Sequence, residues 1–250
     1  METEKALELL INNHVSLFEI FFNTISEIQP DFIKNLKNIV TSSGGRVKSV
    51  HPFTSGYEPY LLFTNYERRY KDTLEFYKNY FNAAGELGAE IVVIHGDRKT
   101  SETGGISNKE YFDKFGELSE IGKSFGITLA QENVNAFRSH SPKFLREMKE
   151  YLGDRAKFVL DIKQGVRSGH DPLEVCDAMG DGVVHLHIND NNNGSDCLLP
   201  GYGETSYEQL FNVMKKHHYS GDAVIEVYRS SYGDIHELVQ SYDYLKGIGF

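Results

Sequence analysis

Six short apolar runs in this chain end on a histidine or a carboxylate, and segments of helical length separate them: Lys48–His51, Ile91–His95, Thr128–Glu132, Lys157–Asp161, Val183–His187 and Ala223–Glu226. Alternate side chains of a strand share a face, so His185 and His187 point the same way, and His187 sits where its run stops at Asn189-Asp190-Asn191-Asn192-Asn193-Gly194. Strand–helix alternation at this spacing calls for parallel strands joined by crossover helices, an α/β architecture. An open doubly wound sheet has its site at one switch point and would not collect groups from six strands. A closed barrel does collect them, because the C-terminal ends of its strands form one face. The expectation is a (β/α)8 TIM barrel, with residues 1–250 forming a single domain.

Strands are also expected at Leu17–Phe22 and, extending the first run, Val47–Phe53, with the 157–161 run continuing to Lys163. Apolar spacing predicts helices over residues 3–13, Asp31–Thr41, Asn65–Leu87, Asn108–Phe125, Ser141–Leu152, Asp171–Ala178, Ser206–His217 and Asp234–Lys246. Ser141-Pro142 and Asp171-Pro172 read as N-cap and first-turn pairs, and Gly88 reads as a C-terminal cap. Gly56–Glu67 reads as an aromatic excursion over the barrel mouth, and Gly96–Ser107 as a polar loop. Only seven strands emerge. The one expected before the helix at 3–13 is missing, which leaves a gap beside Leu17–Phe22. Open strand edges are normally paired or covered, so the N-terminal segment or a neighbouring copy in a homo-oligomer is expected over that gap.

Composition narrows the function classes. With 250 residues, 40% of them hydrophobic and 25% charged, the chain suits a globular domain with a substantial core. A net charge of −10 argues against a nucleic-acid partner, which needs a basic footprint. Two cysteines, Cys176 and Cys197, make no disulfide framework. The acidic start Met-Glu-Thr-Glu has no signal-peptide core, and no apolar run approaches the ~20 residues of a membrane helix. A cytoplasmic protein with no membrane partner is expected.

Glu132, Asp161, His187 and Glu226 bring three carboxylates and one imidazole to strand ends. Buried without a matching cation, such a set would carry a heavy desolvation cost. An oxygen-rich site with one histidine suits Mn²⁺, Mg²⁺, Co²⁺ or Zn²⁺. His51 and His95 are candidates for a second metal or for substrate contacts. Lys163, expected at its strand end on the face of Asp161, and Gln164 are further substrate-contact candidates. Arg229, after the last strand, is a candidate phosphate ligand, and Gly165–His170 a candidate ligand-cradling loop.

The ordered series VIHG (93–96), QEN (131–133), LDIKQG (160–165), HIND (187–190), LLPGYG (198–203) and IEVY (225–228) resembles the xylose isomerase-like barrel superfamily. That group holds sugar and sugar-phosphate isomerases and epimerases and the AP endonuclease family 2 enzymes. The resemblance runs from about Leu17 to Val239 and implies a single metal held by Glu132, Asp161, His187 and Glu226. His51, His95 and Glu132 match first-metal ligands of the trinuclear DNA-repair members. The third site of those enzymes is broken here: Gln164 stands where a histidine is needed, and Ser195 and Cys197 stand where an Asp-x-His pair is needed.

The expected function is a metal-dependent sugar or sugar-phosphate isomerase or ketose 3-epimerase working through an enediolate, with Glu132 and Glu226 exchanging the proton on opposite faces. The alternatives are a divalent-metal phosphodiesterase related to endonuclease IV, using His51 and His95, and a non-catalytic sugar-binding barrel.

Overall fold

The computed structural model describes residues 1–99 and 105–249. The chain runs α1 (Thr3–Ile11), β1 (Leu17–Phe21), α2 (Pro30–Ser42), β2 (Arg46–His51), α3 (Glu58–Leu61), α4 (Glu67–Leu87) and β3 (Ile91–Ile94). It continues through α5 (Asn108–Ser124), β4 (Thr128–Glu132), α6 (Pro142–Leu152), β5 (Phe158–Asp161), α7 (Ile162–Arg167) and α8 (Pro172–Met179). The last third is β6 (Val183–Ile188), β7 (Asp190–Asn192), β8 (Ser195–Leu198), α9 (Tyr207–Lys216), β9 (Ala223–Ile225) and α10 (Ile235–Gly247).

Among the described residues the main sheet has seven strands, all pairs parallel, in the order β1-β2-β3-β4-β5-β6-β9. It is a nearly closed barrel. β3 and β5 are buried on both faces, as expected of strands with helices outside and a filled interior. Ile91, Val93, Ala130 and Val159 form a small interior cluster separate from the larger core beneath the helices. His95 lies two positions beyond Val93, Glu132 two beyond Ala130, and Asp161 two beyond Val159. The two-residue period therefore puts these polar groups on the interior face, one layer above the apolar plug.

Ser141, Asp171 and Gly88 act as the expected caps, and further caps join them. Ser141 accepts from the Phe144 N–H, Asp171 from the Leu173 N–H and Asp234 from the His236 N–H, each starting a helix. Gly88 ends α4 at φ 78°, a left-handed conformation that glycine adopts without strain. Ser107 and Glu110 form a reciprocal capping box at α5.

Three regions depart from expectation. The stretch expected as a strand to Lys163 ends at Asp161, because the Asp161 carboxylate accepts from the Gln164 N–H and starts α7 at once. Lys163 and Gln164 therefore sit on a helix, and the first half of the expected 165–170 loop is helical too. The polar loop after β6 contains a two-stranded antiparallel hairpin, β7–β8. The aromatic excursion contains a single-turn helix, α3, which inserts the fully buried Glu58. Of the expected polar loop, residues 100–104 lie outside the described residues.

The expected gap is present. β1 and β9 end the strand order, and a cavity of about 940 Å³ lies between them, lined by Leu10, Leu17, Phe18, Val224, Tyr242 and Leu245 among others. The N-terminal segment contributes Leu10 and Val15 to the wall of this cavity. No helix among the described residues is long and apolar enough to cross a membrane.

Candidate metal centre

The barrel mouth gathers the residues named from sequence. Ligand atoms of Glu132, Asp161, His187 and Glu226 all lie within 4.8 Å of one another. His187 is fully buried, and its Nδ1 is 2.9 Å from Glu226 Oε2, 3.6 Å from Glu132 Oε1 and 4.0 Å from Asp161 Oδ2. Despite this proximity Nδ1 has no aligned hydrogen-bond partner. An imidazole nitrogen with carboxylate oxygens around it and no hydrogen bond of its own fits a divalent cation held by all four groups.

Backbone bonds hold the ligands in place. The Asn133 side-chain amide donates to the Asp161 carbonyl at 2.9 Å and accepts from the Asp161 N–H at 2.7 Å, tying the ends of β4 and β5 together. Gln131 donates to the carbonyls of His95 and Glu132, each at 2.8 Å. Asn189 donates to Asp161 Oδ1 at 3.3 Å. Gln131, Asn133 and Asn189 therefore position the ligands beside them.

A second group adjoins the first. His51, His95 and Glu132 also offer ligand atoms within 4.8 Å, as do Glu19, His51 and His187. His95 Nε2 stands 3.3 Å and His51 Nε2 3.8 Å from Glu132 Oε2. Glu19, which the pattern of strand ends did not single out, lies 3.1 Å from His187 Nε2 and 3.3 Å from His51 Nε2. The signal for it was a lone carboxylate inside the apolar run Leu17–Phe22, where burial demands a partner.

The electrostatics follow from four carboxylates facing imidazoles in a dry site. Burial pushes the Glu132 carboxyl up, but the close imidazoles of His187 and His95 outweigh it and hold it well below the usual range. Burial opposes ionisation of Glu226 as well, yet His187 and Lys163 draw it down to about 2. Asp161 goes the other way. Burial dominates there, the neighbouring Glu226 and Glu132 add to it, and its carboxyl is raised despite Lys163. Burial opposes the charged form of His95, but the Glu132 carboxylate 3.3 Å away outweighs it and raises His95 to about 9.

Lys163 changes the charge balance expected from sequence. The four-ligand set does meet a cation of this chain: the buried Lys163 ammonium donates to Asp161 Oδ2, and to Glu226 Oε2 at 2.7 Å. Two candidates are engaged by neighbours of their own. Gln164 Oε1 accepts from the Asn135 N–H at 3.1 Å. Arg229 is exposed and donates to the carbonyls of Tyr232 and Gly233. Of the weakened third-site positions, Cys197 is buried under the Ser231 hydroxyl, while the neighbouring Asp196 pairs with Arg167 at 2.8 Å.

Known proteins similar to this chain include sugar epimerases and uncharacterised relatives. Uncharacterized protein ML2432 of Mycobacterium leprae is 25% identical over 174 residues, 60% of this chain and 60% of that protein. This chain thus aligns with about three fifths of the length of such curated relatives. Fructoselysine 3-epimerase of Shigella flexneri is 22% identical over 205 residues, 78% of this chain and 72% of that enzyme. The crystal structure of a D-tagatose 3-epimerase-like protein superposes with a TM-score of 0.73 at 25% identity, covering 93% of this chain and 87% of that one. The family model described as "Xylose isomerase-like TIM barrel" matches residues 8–248, and the chain belongs to that family.

Proposed function

We propose that this chain is a metal-dependent sugar or sugar-phosphate isomerase or epimerase that moves a proton through an enediolate. The observation that carries the reading is His187 Nδ1, buried and without a hydrogen bond, among oxygens of Glu132, Asp161 and Glu226. Epimerases among its relatives support the reaction class. A divalent ion at these residues, Mn²⁺, Mg²⁺, Co²⁺ or Zn²⁺, would supply Lewis-acid polarisation of a substrate carbonyl and its neighbouring hydroxyl.

The chain's own groups divide the remaining work. Glu226 keeps 40% of its side chain exposed at the mouth, where it can reach a bound sugar and take its proton. Glu132 is 3% exposed and faces His95, so it acts from the inner side of the site. His51 and His95 line the same mouth and offer donors or acceptors to sugar hydroxyls. Carboxylates on separate strands, β4 and just beyond β9, suit proton exchange on two faces of one carbon.

Incubating the metal-loaded protein in D₂O with a panel of ketoses and ketose phosphates tests the reading. Deuterium is expected on the carbon beside the carbonyl of at least one member. A panel that shows no exchange with metal fully bound would remove the proposal.

The convergence of His51, His95 and Glu132 favours a second reading, a two-metal phosphodiesterase. Two bound metals per chain together with cleavage of an abasic-site duplex would establish it. One metal and no cleavage would dismiss it.

A further inference from the structure

Lys163 is 1% exposed, a burial that lysine tolerates only when it is paired. Its position follows from the early start of α7. Asp161 caps the helix through Oδ1, which accepts from the Gln164 N–H at 3.2 Å, and leaves Oδ2 facing inward. Residue 163 falls on the first turn, and its ammonium reaches Asp161 Oδ2 and Glu226 Oε2 together. These are the same two oxygens that approach His187 Nδ1, at 4.0 and 2.9 Å. The ring of Tyr228 lies 5.7 Å from Lys163 Nζ, a distance at which an aromatic face attracts a cation.

We propose that Lys163 is an internal counter-cation that occupies two of the three metal-binding carboxylates and competes with the divalent ion for them, so that it sets the affinity of the site. The inference rests on the metal-dependent reading above. Two cations cannot both hold Asp161 Oδ2 and Glu226 Oε2 at bonding distance, because their repulsion at a few ångströms in a largely buried site is large. Metal uptake therefore requires the ammonium to leave one or both oxygens, and the Tyr228 face gives it a nearby place to rest. Without metal, the same ammonium keeps buried carboxylates from standing uncompensated.

The test compares wild type, Lys163→Met and Lys163→Arg in calorimetric titration with Mn²⁺ at one fixed, mildly alkaline pH, after chelator treatment. Lys163→Met is expected to bind Mn²⁺ at least about tenfold more tightly than wild type, and Lys163→Arg to stay near wild type. Equal or weaker binding by Lys163→Met, with wild type binding normally, overturns the role of Lys163 and leaves the metal site standing. No uptake by either protein overturns both. Lys163→Met carries uncompensated carboxylates and can fold poorly without metal, so a second measurement uses wild type alone. Amine-directed labelling of Lys163, followed by mass spectrometry, is expected to speed up at saturating Mn²⁺ as the ammonium leaves its carboxylates. A labelling rate unchanged by metal overturns the competition.

Discussion

Glu19 Oε2 lies 3.1 Å from His187 Nε2, and this contact decides which nitrogen of His187 faces the other carboxylates. With Nε2–H directed at Glu19, Nδ1 would be the nitrogen offered to a divalent ion held among Glu132, Asp161 and Glu226. The same carboxylate accepts from the Ser49 hydroxyl at 2.5 Å and stands 3.6 Å from His185 Nε2, so its own orientation is fixed. Glu19→Gln removes the charge that anchors the ring. It should weaken divalent-metal affinity by roughly 10–100-fold while circular dichroism and the melting transition show an intact barrel. Calorimetry that finds unchanged affinity would leave Glu19 a packing residue.

Glu58 makes the protein's stability depend on pH. Its carboxylate is fully buried, accepting from the Gly96 N–H at 2.5 Å and the Tyr77 hydroxyl at 3.1 Å. Burial raises it from 4.5 to about 7 against the charge of His95 and those hydrogen bonds. A carboxyl raised in the folded state binds its proton more tightly there than when unfolded. The stability linked to it is whole below 4.5 and is lost as pH rises through about 7. Glu58→Gln keeps the shape without the charge. Its gain over wild type in denaturant unfolding should grow between about pH 5 and pH 8, reaching about 3 kcal/mol. A gain that is constant across that range would contradict the assignment.

What was legible in the chain, and what was not, follows from how local each signal is. Strand ends carry a two-residue alternation, so His95, Glu132, Asp161 and His187 could be placed on one interior face directly from sequence. Glu19 sits in the middle of an apolar run, and its partners His51 and His187 come from strands far along the chain. Glu58 arrives on a single-turn helix inside an aromatic stretch with no clear period. Lys163 was assigned to a strand because the apolar run continues through Ile162. Only the side-chain cap from Asp161 to the Gln164 N–H shows that the chain has already turned into a helix. Long-range pairing and side-chain capping decided these three positions, and residue spacing encodes neither.

The lane between β1 and β9 should be the soft side of the barrel. Neither strand has a ladder partner there, and the cavity of about 940 Å³ removes packing from both. β3 and β4, paired on both edges and buried, lie three and four places along the sheet. In native-state hydrogen exchange the amides of β1 and β9 should exchange on the order of a hundredfold faster than those of β3 and β4. Equal protection throughout would mean that the lane is closed in solution, by a second copy or by rearrangement, and protein-concentration dependence of the β1 rates would distinguish the two.

The proton-transfer roles separate from the ligand roles by comparing two conservative variants at matched metal content. Glu226 is held by Lys163 and faces the mouth, whereas Glu132 is enclosed by His51, His95 and His187. Glu132→Gln and Glu226→Gln should each lower deuterium incorporation into a responsive ketose by about 10²–10⁴-fold. Either amide also weakens a ligand, so exchange has to be normalised to metal measured in the same sample. After that correction, a variant that retains exchange within about tenfold of wild type is a ligand and not a base. Loss in both would match a reaction in which one glutamate removes the proton and the other returns it from the opposite face.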